Sequence, residues 1–442
     1  MEPAPRLRGS RLSEIIRQHK GRSAIGIFSI CSAHPIVLEA CMRHAAAGIQ
    51  PVLIEATSNQ VNQDGGYTGM TPEQFIAYIR VVAARAGLAF DRIILGGDHL
   101  GPNTWRDQDA SVAMARACRL VQDYVCAGFE KIHLDASMRC KGDPGGRNDP
   151  LPEGLVAERA AELCAAAEAA HISHGTEGPA PVYVIGTEVP PPGGAQGEEQ
   201  PVAVTTPDAA RNTLDITKSA FLRRGLDAAW DRVVATVVQP GVEFGDETIC
   251  EYKPERAAEL SRMIEGHDGL VYEAHSTDYQ PERALRELVR DHFAILKVGP
   301  ALTFAFREAV FALEAMEVEW LRGRPGVELS RLQDTVEAAM LASPANWQRY
   351  YHGSDHAVRY ARKYSYSDRI RYYWPEASVQ RALERLLANL SASTIPPTLL
   401  SQYMPRQYMA LRSGSIENRP EDFILHAINV VTAAYAGACG TT

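Results

Sequence analysis

Eight short β-branched or apolar runs, most closing on a polar residue and each followed by a helical stretch, constrain this chain more than any other feature. They are Ile27–Ile30, Val52–Ala56, Ile93–His99, Lys131–Ser137, Val182–Glu188, Val233–Gln239, Leu270–Ser276 and Phe293–Gly299. Their starts lie 23 to 51 residues apart, enough for one strand and one crossover helix each time. Helix starts fall between them. Pro35 opens an apolar-periodic stretch to Ala47, Thr71-Pro72-Glu73-Gln74 reads as a capping box with Pro at the first helical position, and Pro281 starts another helix. Eight such alternations point to an α/β fold, the (β/α)8 TIM barrel, with function at the C-terminal strand ends. A doubly wound open sheet competes, but no G-x-G-x-x-G follows the first run.

The chain has 442 residues, more than one barrel of about 250 needs. The β pattern stops near Arg322, and the residues beyond it are helical in period and rich in Tyr, Arg and Leu. We therefore expect a barrel over residues 1–320 and a C-terminal α-helical extension over 321–442, near the barrel mouth. The Pro- and Gly-rich stretch from Pro190 to Gln200 reads as a long loop after the fifth strand.

Charge narrows the function. With 45 basic and 54 acidic residues the net charge is −9, which repels a nucleic-acid backbone. The eight cysteines are scattered with no C-x-x-C pair, as in free thiols of a reducing compartment. Residues 1–20 are charged and lack an apolar signal core, and no apolar run approaches about 18 residues. A cytoplasmic protein with no membrane association is expected. No G-x-x-x-x-G-K-[ST] loop is present, which disfavours a sugar-phosphate kinase.

Polar residues collect at the strand ends, where burial is unfavourable unless they bind something or satisfy each other. The third run ends Asp98-His99, the fourth carries His133 and Asp135, the fifth ends at Glu188, the sixth at Gln239, and the seventh reads Glu273-Ala274-His275. Two imidazoles, a carboxylate and an amide oxygen make a set for a divalent ion such as Zn²⁺, Mn²⁺ or Co²⁺, held by His99, Glu188, Gln239 and His275. Mid-strand His133 reads as supporting or structural. Asp98 would face away from His99 in regular β alternation unless the strand has already ended, so a general acid/base role stands beside a supporting one.

The motif Gly96-Gly97-Asp98-His99-Leu100-Gly101-Pro102-Asn103, with residues 54–63, 65–70, 133–138, 186–190, 239–244, 297–304 and 364–375, resembles the Z-type subunit family of class II D-tagatose-1,6-bisphosphate aldolase. The resemblance spans nearly the whole chain. It implies aldolase-like metal chemistry, with Asp98-His99, Glu188 and His275 matching the class II pattern. Two departures bear on that. Gln239 stands where the sixth-strand His is expected, and the chain reads Gly299-Pro300-Ala301-Leu302-Thr303 where the aldolases carry phosphate-binding Asn and Asp-Thr. Ser365, Ser367, Arg369 and Arg371 offer a basic and hydroxylic patch that would replace those contacts, or a simple salt-bridge patch.

The resemblance implies two activities. One is a metal-dependent ketose or ketose-phosphate 4-epimerase of the tagatose/fructose type, since retro-aldol cleavage and C4 inversion share their first half. The other is a non-catalytic accessory subunit of a class II aldolase, as partner or homo-oligomer. In either, Asp98, Asp135 and Glu188 are the candidate catalytic carboxylates. Asn59, Gln60, Asn103, Lys297, Thr303, Ser367 and Arg369 are expected to contact substrate. Glu55 is a further acid/base or else simply pairs with a neighbour.

Overall fold

All eight runs are strands, and they close into one parallel barrel. The computed structural model describes residues 10–21, 23–146, 149–174, 178–186 and 202–440. The strands are Ile27–Ile30, Val52–Thr57, Ile93–Leu100, Lys131–Leu134, Val182–Ile185, Val233–Val237, Val271–Ala274 and Phe293–Val298. Each lies parallel to both neighbours, and the eighth meets the first from Ile27↔Ile295 to Ile30↔Val298. Closure rules out the open sheet. The capping box is present: Thr71 Oγ1 accepts from the Gln74 N–H at 3.4 Å, and Gln74 Oε1 accepts from the Thr71 N–H at 2.9 Å. Pro35–Ala47 is a helix as expected, and Pro281 is the cap of Glu282–Arg290.

The barrel interior changes character along its axis. Its lower part is apolar: Ile27, Leu53, Ile94, Val182, Val234, Val271 and Ile295 pack together, and Leu12, Ile15 and Ile16 of the helix Arg11–Lys20 join them and plug the bottom. One layer up, the inward positions turn charged. Glu55, Lys131 and Glu273 are fully buried there. Above them lie Asp98, the histidines and the loops of the mouth. The second core lies outside the barrel, between strands and helices, and runs without a break into the C-terminal helices.

The last helix, Pro420–Ala438, packs against Pro35–Ala47, Glu282–Arg290 and Pro300–Leu321, and touches the first strand. It fills the gap in the helical ring between the seventh and first strands. Thr432 Oγ1 lies 3.4 Å from Cys41 Sγ, and the Tyr435 hydroxyl donates to the Thr277 carbonyl at 2.7 Å.

Residues 365–373 meet the loops at the C-terminal strand ends. Ser365 Oγ donates to Asp246 Oδ1 (2.7 Å), next to the small hairpin Glu243–Phe244/Ile249–Cys250 that follows the sixth strand. Tyr279 donates to the Tyr366 carbonyl (2.6 Å), and Tyr372 meets Tyr67 edge-on, with ring centres 5.1 Å apart. No helix among the described residues is long and apolar enough to cross a membrane.

Candidate metal centre

Asp98 and His99 share one cavity because the third strand breaks its alternation between them. Pairing with the fourth strand runs Gly97↔Ile132 and then Leu100↔Leu134, so one extra residue is inserted. His99 absorbs it in the left-handed region, with φ of 47°, where a non-glycine residue is strained. Two glycines make room. A Cβ on Gly96 would lie 2.6 Å from Glu55 Oε1, and one on Gly101 would lie 1.6 Å from the Asp135 carbonyl oxygen.

The fourth strand contributes by plain alternation, since Lys131, His133 and Asp135 all face inward. So do Glu273 and His275 at the seventh. Asp98, His99, His133 and His275 are all buried, and each offers one atom within 4.8 Å of the others. The ring centres lie 5.0 Å (His99–His133), 4.9 Å (His99–His275) and 5.5 Å (His133–His275) apart.

Hydrogen bonds fix the ring nitrogens. His99 Nδ1 is 2.8 Å from Asp135 Oδ2, which turns Nε2 toward Asp98 Oδ2, 3.7 Å away. His275 Nε2 is 3.0 Å from Glu273 Oε1 and so presents Nδ1 as its lone-pair nitrogen. His133 Nε2 donates to the Gly186 carbonyl at 3.0 Å, while its Nδ1 accepts from the His99 N–H at 3.2 Å and sits 3.0 Å from Asp98 Oδ1. A lone-pair nitrogen and a carboxylate oxygen that close repel each other unless a proton or cation lies between. Carboxylates behind two of the three imidazoles are the arrangement that orients metal-binding histidines.

Electrostatics agree. Burial pushes the Asp98 carboxyl up, but the surrounding His99, His133 and His275 outweigh it and hold it well below the usual carboxylate range. Asp135 is held low against its own burial by His99 and Ser137. Burial lowers His275, against the opposing hydrogen bond with Glu273. Beneath this group, Lys131 pairs with Glu55 and with Glu273 (2.6 Å), and Lys297 with Glu55 and with Asp98 (2.9 Å). Glu55 is thus enclosed by two lysines.

The other sequence candidates lie around this centre or apart from it. Gln239 is 5% exposed, and its Oε1 accepts from the N–H groups of Gly241 (2.7 Å) and Val242 (3.0 Å), which shapes the loop after the sixth strand. Glu188 and the stretch 190–200 lie outside the described residues. Gln60 accepts from the Thr57 N–H (2.8 Å), Asn59 Oδ1 accepts from Thr104 (3.3 Å), and Asn103 is half-buried in the turn Pro102–Trp105.

Thr303 donates to Asp368 Oδ2 (2.5 Å), Ser367 to Asp246 (3.2 Å), and Arg369 to the Asn346 carbonyl (3.1 Å). These three are committed to neighbours above the eighth strand. His133, read from the sequence as supporting or structural, lies within the group of Asp98, His99 and His275 that could hold an ion, and Glu273 and Lys131 had no role assigned from sequence. A cavity of about 1090 Å³ opens from Asp135 and Gly186 between the loops of the fourth to sixth strands.

Residues 12–440 match the family described as D-tagatose-1,6-bisphosphate aldolase subunit GatZ/KbaZ-like. The chain belongs to this family. It is similar to a probable tagatose 6 phosphate kinase from Sinorhizobium meliloti 1021, at 46% identity over 94% of this chain and 100% of that one, with a TM-score of 0.85. A fructose-bisphosphate aldolase from Campylobacter jejuni is 12% identical over 92% of this chain and 95% of its own, with a TM-score of 0.47. The YdjI aldolase from Escherichia coli K12 is 13% identical over 85% and 94%, with a TM-score of 0.41. At that distance the two aldolases add nothing to what the barrel itself shows.

Proposed function

We propose that this GatZ/KbaZ-like chain is a metal-dependent ketose or ketose-phosphate 4-epimerase that works by retro-aldol and aldol chemistry. One observation carries the reading: three imidazoles and Asp98 converge at the barrel mouth, with Asp135 and Glu273 orienting two of the rings. His99, His133 and His275 would hold a divalent ion, with Glu188 as a further donor or acid. Such an ion, once bound, polarises the substrate carbonyl as a Lewis acid.

The chain's own residues supply the rest. Asp98, steadied by Lys297 on Oδ2, takes the proton of the C4 hydroxyl as C3–C4 breaks and the bond pair passes to the C1–C3 enediolate, and it returns that proton to O4 when the bond re-forms. Asp135 positions His99. Asn59, Gln60 and Asn103 lie on the loops where sugar hydroxyls would be held. Residues 365–373 cover the mouth and limit escape of the aldehyde fragment. Turning that fragment before recombination inverts C4.

The family's description as an aldolase subunit favours a second reading, a non-catalytic partner of a class II aldolase. A purely supporting subunit has no physical need for oriented imidazoles. The sequence carries no G-x-x-x-x-G-K-[ST] loop, which disfavours a kinase of that type as the activity named for the Sinorhizobium relative.

The test is the purified chain, reloaded with Zn²⁺ or Mn²⁺ and incubated with fructose or fructose 6-phosphate. The C4 epimer, absent after chelation, is the expected product; restoration of cleavage only with an added aldolase would favour the second reading. Asp135→Asn should weaken metal binding by about 10- to 100-fold in a competition titration without unfolding the chain. Unchanged affinity would remove Asp135 from the centre.

A further inference from the structure

Barrels of this kind frequently bind a phosphate between the loops after strands seven and eight, at a helix N-terminus. Here that position is occupied by the chain. Asp278, on the loop after the seventh strand and 3% exposed, accepts from the Gly299 N–H at 2.9 Å and the Ala301 N–H at 2.8 Å. Both donors open the helix Pro300–Leu321. Pro300 has no N–H to offer, and the next two amides, Leu302 (3.1 Å) and Thr303 (3.4 Å), donate to the Gly299 carbonyl. The amides of this helix start are therefore all accounted for.

The nearby cations are also committed. Arg307 pairs with Asp368 at 3.1 Å. Arg371 donates to the carbonyls of Ser367 and Asp368 and to the Tyr372 hydroxyl (3.0 Å). A carboxylate is thus already seated on the amides at which a helix-terminus phosphate would bind.

We propose that Asp278 is a specificity residue that closes the helix-terminus anion site, so that the substrate end over strands seven and eight is an uncharged polyol end. This deepens, and rests on, the reading of the strand-end cluster as a sugar site. A free ketose, or one phosphorylated only at its far end, fits; a 1,6-bisphosphate must present one phosphate to Asp278 in either orientation. A carboxylate accepts hydrogen bonds from hydroxyls and repels a phosphate.

The experiment is calorimetric binding of fructose, fructose 6-phosphate, fructose 1,6-bisphosphate and inorganic phosphate to the metal-loaded chain, beside Asp278→Ser and the isosteric Asp278→Asn. The native chain should bind the bisphosphate at least about tenfold more weakly than the better of the other two sugars, and either variant should narrow that gap and bind phosphate more tightly. Asp278→Asn keeps an acceptor for both amides and serves where Asp278→Ser does not fold. Tight bisphosphate binding by the native chain, or weakened phosphate binding in the variants, would overturn the proposal. A chain that turns over no ketose contradicts the epimerase reading instead, and the binding comparison still decides the role of Asp278.

Discussion

Glu243 is 2% exposed beside the mouth, where its Oε1 accepts from the Phe244 N–H at 2.9 Å. Burial pushes its carboxyl up to about 7, against the opposing hydrogen bonds from Phe244 and Ser276. The folded chain therefore holds this proton after the unfolded chain has lost it. Stability from Glu243 is fully present below the unfolded value near 4.5 and is lost as pH rises toward 7, by about 3 kcal/mol at most. Glu243→Gln, which cannot ionise, should gain on the native chain between pH 4.5 and 8 in urea unfolding. A difference that stays flat with pH, or shrinks as pH rises, would contradict that environment. Glu243 was silent in the sequence because nothing in its local pattern marks it as buried. His133 and Asp135 were legible as a pair, since residues two apart on a strand share a face, whereas Lys131 and Glu273 drew no role from the sequence. What the pattern withheld was how close His133 lies to Asp98, His99 and His275.

Among the elements, the third strand departs most from what period-two alternation predicts. Regular alternation turns Asp98 away from His99, whereas the inserted residue turns both inward. The motif Gly96-Gly97-Asp98-His99-Leu100-Gly101 carries the reason: the outer glycines sit where side chains would strike Glu55 and the Asp135 carbonyl. Gly101→Ala should thus cost about 4 kcal/mol or more, or prevent folding, as a backbone clash in a buried site does. A loss under about 1 kcal/mol in chemical denaturation would mean that the strand end is looser than described. All eight strands were readable from their β-branched runs, and the helix starts at Pro35 and Thr71 from their caps. The hairpin after the sixth strand was not, because two-residue strands leave no periodicity to detect.

At the scale of the whole molecule, sequence period separated a barrel over 1–320 from helices over 321–442. Period reports each element's own geometry and not where it docks. The last helix completes the barrel's outer ring, and the hydrophobic core is continuous across residue 320. We therefore expect a fragment ending before Pro420 to be insoluble or to unfold without cooperativity. Tyr435→Phe, which removes the hydroxyl bonded to Thr277, should cost about 1 to 2 kcal/mol in the full chain. A soluble fragment of residues 1–320 with a sharp unfolding transition would contradict that expectation and support two separate units.

The central claim is that the mouth of this barrel inverts C4 of a ketose by breaking and remaking C3–C4, with a divalent ion and no second protein. The most direct measurement is carbon and proton NMR of the metal-loaded chain with fructose and fructose 6-phosphate in D₂O, beside a chelated sample and His275→Ala. Bond cleavage carries the C4 hydrogen along in the aldehyde fragment, so the C4 epimer should form with protium at C4 and should vanish in both controls. Deuterium at C4, or an epimer that survives chelation, would contradict the mechanism. No epimer from either sugar until an aldolase is added would contradict the claim that the chain acts alone.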